Sequence, residues 1–330
     1  MPALRPLLVC ALGLLLSPLC QAKWHGDEQG IMGTNVSVTL WLDDDQKGEQ
    51  AVRAVMDEMR RIDQTYSPFI ETSELYRVNQ LAPKASAEKP LKISAEMTEI
   101  LDKSLYYSRL SDGVFDITFA SLGRYYDYRK KLKPSEKQQE ELLPLINYRF
   151  IHLDKEANTV WFEHPGVYID LGGIAKGYAV DKATEILQNQ FGVTRAHVTA
   201  GGDSRVIGDK FGRPWLVGIK NPRAETVAVT LPLVNVSLST SGDYERYFID
   251  QNGERVHHIL NPRTGKSAHG INSVTVLGPA GFDTDPLTKI IFISGPEKGL
   301  ALINRLPGFD AVIITSEGKV LYSQGLQAPE

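Results

Sequence analysis

The sequence predicts an α+β fold, a single compact domain of packed helices with mixed or antiparallel sheets spanning residues 23–330. Two observations point there. Amphipathic helical runs and short strands are interspersed without the regular alternation that builds a doubly wound parallel sheet. No internal repeat, low-complexity tract or linker divides the chain.

The elements read as follows. "NVSVTLWLD" (Asn35 to Asp43) alternates like a half-buried strand, and Ala51, Val52, Val55, Met56, Met59 and Ile62 then recur at helical spacing. "AEMTEILDKSLYYSRLS" (Ala95 to Ser111) is a second amphipathic helix, ended by Asp112-Gly113. Two short strands between Tyr148 and Phe162 flank the turn "DKEAN". "GVYIDL" reads as a strand, the glycines after it as a turn, and Tyr178 to Phe191 as a helix closed by Gly192. "RAHVTAGGD" returns as a strand, and strands then dominate through "WLVGIK", "ETVAVTLPLVNVSLSTSG", "YERYFID" and "SVTVLG". A late helix is expected at "DPLTKIIFIS", with Asp285 as N-cap and Pro286 at its first position. "PEKGLALINRL" is a further helix, and "DAVIITSEGKVLYS" a closing hairpin.

Composition narrows the partners. The net charge of −4 comes with no block of Lys or Arg, which argues against nucleic acid. The first 22 residues carry one charge, Arg5, then the apolar run "LLVCALGLLL" and small residues before Ala22. This is the pattern of a secretory signal peptide, with a buried strand or membrane anchor as the alternative. It predicts a soluble exported protein. Cys20 offers a lipid-attachment site, but Pro18 and Leu19 make a poor lipobox. Both cysteines, Cys10 and Cys20, lie in that leader, so the mature chain has no disulfide or thiolate metal site.

"DLGGIAKGYAVD" (Asp170 to Asp181) is the first candidate site. It matches neither the P-loop, since its lysine precedes the glycine, nor the dinucleotide fingerprint, since Ile174 stands where glycine is needed. Its physics still suits a phosphate: glycines permit close approach, the helix start offers N–H groups, and Lys176 adds a cation. A tight strand-to-helix turn with a surface lysine is the plainer alternative. In "FDTDPLTK" (Phe282 to Lys289), Asp285 and the Thr288 hydroxyl present two oxygens suited to a hard cation, or Asp285 simply caps the helix. "HHILNPRTG" holds His257 and His258, of which a strand directs at most one into a given site. His25, His152, His164, His197 and His269 read as structural or surface residues, and no Ser-His-Asp arrangement is evident.

Taken in order, "MGT", "SPFIETSELYRVN", "SDGVFDIT", "DLGGIAKGYAVD", "AGGD", "TSGDYER", "HHILNPRTG" and "DTDPLTK" resemble the ApbE family of FAD:protein FMN transferases. The resemblance covers nearly the whole mature chain. It implies a Mg²⁺-dependent transfer of FMN from FAD to a Thr or Ser hydroxyl of a membrane-bound redox subunit, with AMP released. Hydrolysis of FAD, or an exported flavin carrier, are the alternatives.

By the same resemblance Met32 and Phe69 would line the flavin or adenine pocket, and Val114, Phe115 and Asp116 would contact the nucleotide. Asp170 and Lys176 would hold FAD. Ile259 would pack on it beside His258, the catalytic histidine ahead of His257. Gly173 or Ala175 would offer a carbonyl to the metal, which Asp285 and Thr288 would bind. Lys289 stands where many members carry threonine, and an ammonium cannot ligate a cation. Either Thr288 and water complete the shell, or Lys289 replaces part of the metal's charge. Asn261, where aspartate is common in the family, is a milder departure.

Overall fold

The computed structural model describes residues 23–327, so the expected leader with Cys10 and Cys20 lies outside the described residues. Among those described, no helix is long and apolar enough to cross a membrane. An eight-stranded sheet forms the centre, its strands neighbouring one another in chain order. They are β1 (Lys23–Ile31), β2 (Thr34–Leu42), β3 (Ala196–Ala200), β4 (Asp203–Ile207), β5 (Val236–Gly242), β6 (Ile271–Gly278), β7 (Asp310–Thr315) and β8 (Val320–Tyr322). Every neighbouring pair is antiparallel. Sequence alternation does not reveal β1, because it is an edge strand whose residues are mostly exposed and polar.

Four helices frame the site: α1 (Asp45–Tyr66), α2 (Ala95–Leu110), α3 (Ala175–Phe191) and α4 (Gly281–Ser294). The alternation of the central strands sorts two cores. Val274, Val276, Ala311 and Ile313 share one cluster with Val55, Met59, Ala179 and Ile291 of the helices. Val206, Leu238, Leu277, Val312 and Ile314 face the other way, under the hairpin Trp215–Lys220 and Val227–Leu233. Burial on both sides is why β6 is buried throughout.

Two expected elements differ. "GVYIDL" is extended and its Val167, Ile169 and Leu171 are buried, but it joins no sheet. Its amides are met locally instead. Ile169 N–H donates to Asn79 Oδ1 at 2.8 Å while Asn79 Nδ2 donates back to the Ile169 carbonyl at 2.9 Å. Tyr168 N–H donates to Ser121 Oγ and Asp170 N–H to the Ile117 carbonyl. Side chains thus supply what a neighbouring strand would.

The second difference is the start of α4, which lies at Gly281 and not at Asp285. Asp181 of α3 caps it from outside, accepting from Gly281 N (2.9 Å) and Phe282 N (2.8 Å), with Arg205 holding its carboxylate at 3.2 Å. Asp285 is thereby freed from capping and sits a full turn inside the helix. The two helices cross glycine on glycine. A Cβ on Gly177 would lie 2.0 Å from the Gly281 carbonyl oxygen, and one on Gly281 would lie 2.6 Å from that of Gly177.

Candidate functional site

The crossing of α3 and α4 brings the glycine loop onto Asp285. Gly177 N–H donates to Asp285 Oδ2 at 3.1 Å, and Asp285 is fully buried. Lys176 Nζ bridges Asp203 Oδ2 (3.1 Å) and Asp285 Oδ2 (3.7 Å) and donates to the Gly172 carbonyl at 3.2 Å. Lys289, one turn after Asp285 on α4, places its ammonium directly on Asp285 Oδ1. Asp203 reaches this cluster from the start of β4, just past the Gly201-Gly202 turn, and its Oδ1 is buried without a partner.

The charges balance one another. Burial opposes ionisation of Asp285, but Lys176 and Lys289 outweigh it and hold the carboxyl below its usual range. Burial, and then the charge of Asp285, push Asp203 up, with the same two lysines pulling it back. Burial opposes the charge on Lys176 in turn, and Asp203 and Asp285 overcome it to raise that group. Asp170 shapes the loop: its Oδ1 accepts from Gly172 N–H at 2.6 Å, and burial pushes its carboxyl up.

A third cation closes the ring. Arg246 donates to the Gly33 carbonyl at 3.1 Å, at the two-residue turn joining β1 to β2. Met32 occupies the first position of that turn with φ of 55° and Gly33 the second with φ of 66°, the left-handed pair of a type I′ hairpin. Methionine there is strained, and the Arg246 bond to Gly33 sets this turn beside the cations.

The two histidines part company. His257 ends the strand Arg255–His257 and is buried, its Nε2 2.8 Å from the Ala268 carbonyl and its Nδ1 accepting from Ile259 N–H at 3.3 Å. Both ring nitrogens are therefore committed. His258 has a buried Nδ1 with no partner. Burial first, then the charges of Arg246, His257, Lys289 and Lys176, push it down to about 3. At neutral pH it is a neutral ring with a free nitrogen, facing three cations.

Other expected residues fall as follows. Phe115 is buried beneath the glycine turn, 3.2 Å from where a Gly173 Cβ would stand, and Lys289 Cε lies 3.9 Å from the same point. Ala175 opens α3, and Val114 and Ile259 belong to the apolar core. Asp116 is turned inward: its carboxylate accepts from the Thr118 amide and hydroxyl and from Tyr148 N–H, and burial raises it to about 6. Phe69 stands apart from this core with 86% of its surface exposed, on a loop to which the Tyr168 hydroxyl donates at the Pro68 carbonyl. Sequence reasoning assigned no role to Asp203 or Arg246, although "AGGD" and "TSGDYER" contain them.

The donor set does not fit Mg²⁺ at Asp285. Among the described residues no group of three His, Cys, Asp or Glu side chains is placed to hold a metal. Asp285 Oδ1 carries the Lys289 ammonium, and Oδ2 carries Gly177 N–H and Lys176. The Thr288 hydroxyl donates to the Asp285 carbonyl at 2.7 Å and so accepts from Ser241, also at 2.7 Å. Each unit of added positive charge about 4 Å from an ammonium costs roughly 4 kcal/mol at an effective dielectric near 20. The position expected for a metal already holds a cation. A cavity of about 620 Å³ elsewhere, lined by Asp102, Arg109, His152, Lys155 and Trp161, offers no rival centre. There Lys155 pairs with Asp102 and His152 stacks on Trp161.

Glycines at a helix start, ringed by three cations and beside a neutral histidine, define a site for an anionic phosphate group on an antiparallel α+β scaffold. Comparison with known proteins gives that class a family. The ApbE family's sequence profile matches residues 32–313, and the chain belongs to the ApbE family. It is 30% identical over 291 residues to an FAD:protein FMN transferase of Haemophilus influenzae, covering 83% of this chain and 82% of that one. A second FAD:protein FMN transferase, from Treponema pallidum, is 28% identical over 84% of this chain and 80% of its own. Among solved structures, the ApbE protein of Thermotoga maritima superposes with a TM-score of 0.82 at 32% identity, covering 92% of this chain and 98% of that one.

Proposed function

We propose that this protein transfers FMN from FAD to a threonine or serine hydroxyl of an acceptor protein and releases AMP. The acceptor in this proposal is a membrane-bound redox subunit met in the periplasm, in keeping with the leader pattern at residues 1–22. Lys176 and Lys289 at the glycine turn, with Arg246 at the β1–β2 turn and His258 neutral beside them, carry the reading. In the reaction the acceptor oxygen bonds to the FMN phosphorus, the pyrophosphate P–O bond breaks, and AMP keeps the bridging oxygen. The cations offset charge on the leaving phosphate, which is the chief catalytic demand in phosphoryl transfer. The oxygens of Asp285 expected to bind Mg²⁺ are taken by Lys289, Lys176 and the Gly177 amide, so the lysines supply the positive charge there.

His258 takes the hydroxyl proton. In the free protein it is a weak base, because burial and the surrounding cations hold its proton affinity down. A seated pyrophosphate neutralises those cations and raises the ring's basicity at the moment it is needed. His258→Ala is therefore expected to lower kcat by about 10²–10⁴-fold, the range of general-base contributions. His257→Gln changes kcat far less and acts on stability, since that ring holds backbone. A larger kcat loss at His257 would reassign the base. The sign of the shift also fixes the pH profile: His258 protonates only near 3, so kcat/KM shows no histidine limb near pH 6.5.

The decisive test of the activity incubates the mature chain with FAD and an acceptor subunit, then reads flavin fluorescence on the denatured acceptor. A fluorescent acceptor band is expected. Release of FMN and AMP at the full rate with no labelled acceptor would make the protein an FAD hydrolase.

A further inference from the structure

We infer that the Lys289 ammonium is the resident cation of this site, standing in for a divalent metal at Asp285. The inference rests on the reading of the site as one for the FAD pyrophosphate and adds which cation serves it.

Geometry fixes the lysine where it is. Lys289 follows Asp285 by four residues on one helix, so the two side chains share a face. Asp285 is fully buried and the Lys289 side chain only 17% exposed, and the ammonium sits on the carboxylate oxygen. Its Cε passes 3.9 Å from the Cβ position of Gly173, so the ammonium lies under the glycine loop. Gly173 needs no side chain there, and none would fit beside Phe115 without displacement.

Both oxygens of Asp285 are engaged in ways that suit an ammonium. Thr288 donates its hydroxyl proton to its own helix and accepts from Ser241, so one of its two lone pairs is already taken. Lys176 already bridges Asp285 to Asp203. Two monovalent cations thus face Asp285 and Asp203, and they offset the charge that would draw a divalent ion to Asp285. An ammonium bound to Asp285 keeps two donors for a pyrophosphate oxygen and needs no octahedral shell.

The test compares the wild type with Lys289→Thr and Lys289→Met. Binding of Mn²⁺ alone is read by electron paramagnetic resonance, and flavin transfer is read in chelator and in millimolar Mg²⁺. The wild type is expected to bind no Mn²⁺ at this site and to transfer flavin with less than about a threefold difference between the two conditions, set against the 10²–10³-fold losses typical when a charge-stabilising group is removed. Lys289→Thr frees Asp285 and supplies a hydroxyl. It is expected to bind Mn²⁺, to lose about a hundredfold in chelator and to recover in Mg²⁺. Lys289→Met keeps the length without charge or ligand and is expected to fall under both conditions.

Stoichiometric Mn²⁺ binding by the wild type, lost in Asp285→Asn, would overturn the inference, as would a wild type silenced by chelator or a fully active Lys289→Met. A wild type that transfers flavin under neither condition would sink the proposed activity, while the Mn²⁺ measurement would still decide the role of Lys289.

Discussion

Asp285→Asn is expected to lower the rate of flavin transfer at saturating FAD by at least about a hundredfold while leaving FAD bound as tightly as before, or more tightly. Asp285 orients both Lys176 and Lys289 and anchors the Gly177 amide. The amide side chain keeps the shape but loses the charge, so Lys289 loses its counter-ion and Lys176 is left with Asp203 alone. Net positive charge at the site rises, which favours an anionic ligand in its ground state. The loss therefore falls on kcat and not on binding. Removing one partner of a buried pair also destabilises the fold, here by about 3–5 kcal/mol. Stopped-flow transfer rates, FAD titration and thermal unfolding measure the three effects. Weakened FAD binding with unchanged kcat would contradict this account of Asp285.

Gly177→Ala carries the largest structural effect expected of a single methyl group. The new Cβ would stand 2.0 Å from the Gly281 carbonyl oxygen, and backbone cannot rotate away as a flexible side chain can. The helices must separate, which costs about 3 kcal/mol by the usual measure of overpacking and lowers the unfolding midpoint by several degrees. Separation also lengthens the Gly177 N–H bond to Asp285. Transfer should fall in the fraction that remains folded. Gly192→Ala makes the contrast: Gly192 has open space around it and adopts φ of 68°, so its penalty is conformational, about 1 kcal/mol, and leaves the site alone. Equal losses from the two variants would deny the crossing its special role.

Much of the scaffold was legible because local pattern and tertiary burial agree. The alternation in "SVTVLG" and the helical spacing of Val55, Met56, Met59 and Ile62 record the faces that the two cores cover. Legibility failed where a side chain from elsewhere took over a backbone duty. Nothing local reveals that Asn79 stands in for a strand beside "GVYIDL", or that Asp181 caps a helix one hundred residues away. That second substitution misdirected the reading of Asp285, which looked like a cap because Asp before Pro so often is one. The site was legible as types of residue, not as partners. The pairing of Lys289 with Asp285 follows from helical spacing alone, whereas Lys176 reaching Asp203, and Arg246 reaching the β1–β2 turn, depend on how distant strands come together.

The order of strands in the sheet sets a problem for the newborn chain. β2 and β3 lie side by side, yet the chain makes α1, α2 and α3 between them. Closing a loop of about 150 residues costs on the order of 4 kcal/mol in chain entropy before any contact rewards it. Until then β2, paired with β1 on one side, presents an unpaired backbone edge on the other. Folding should therefore be slow, limited by that single pairing, and vulnerable to aggregation beforehand. Asp203 begins the strand after β3, so the site is completed only after the slow step. A chain caught halfway would carry Lys176 but no finished phosphate pocket.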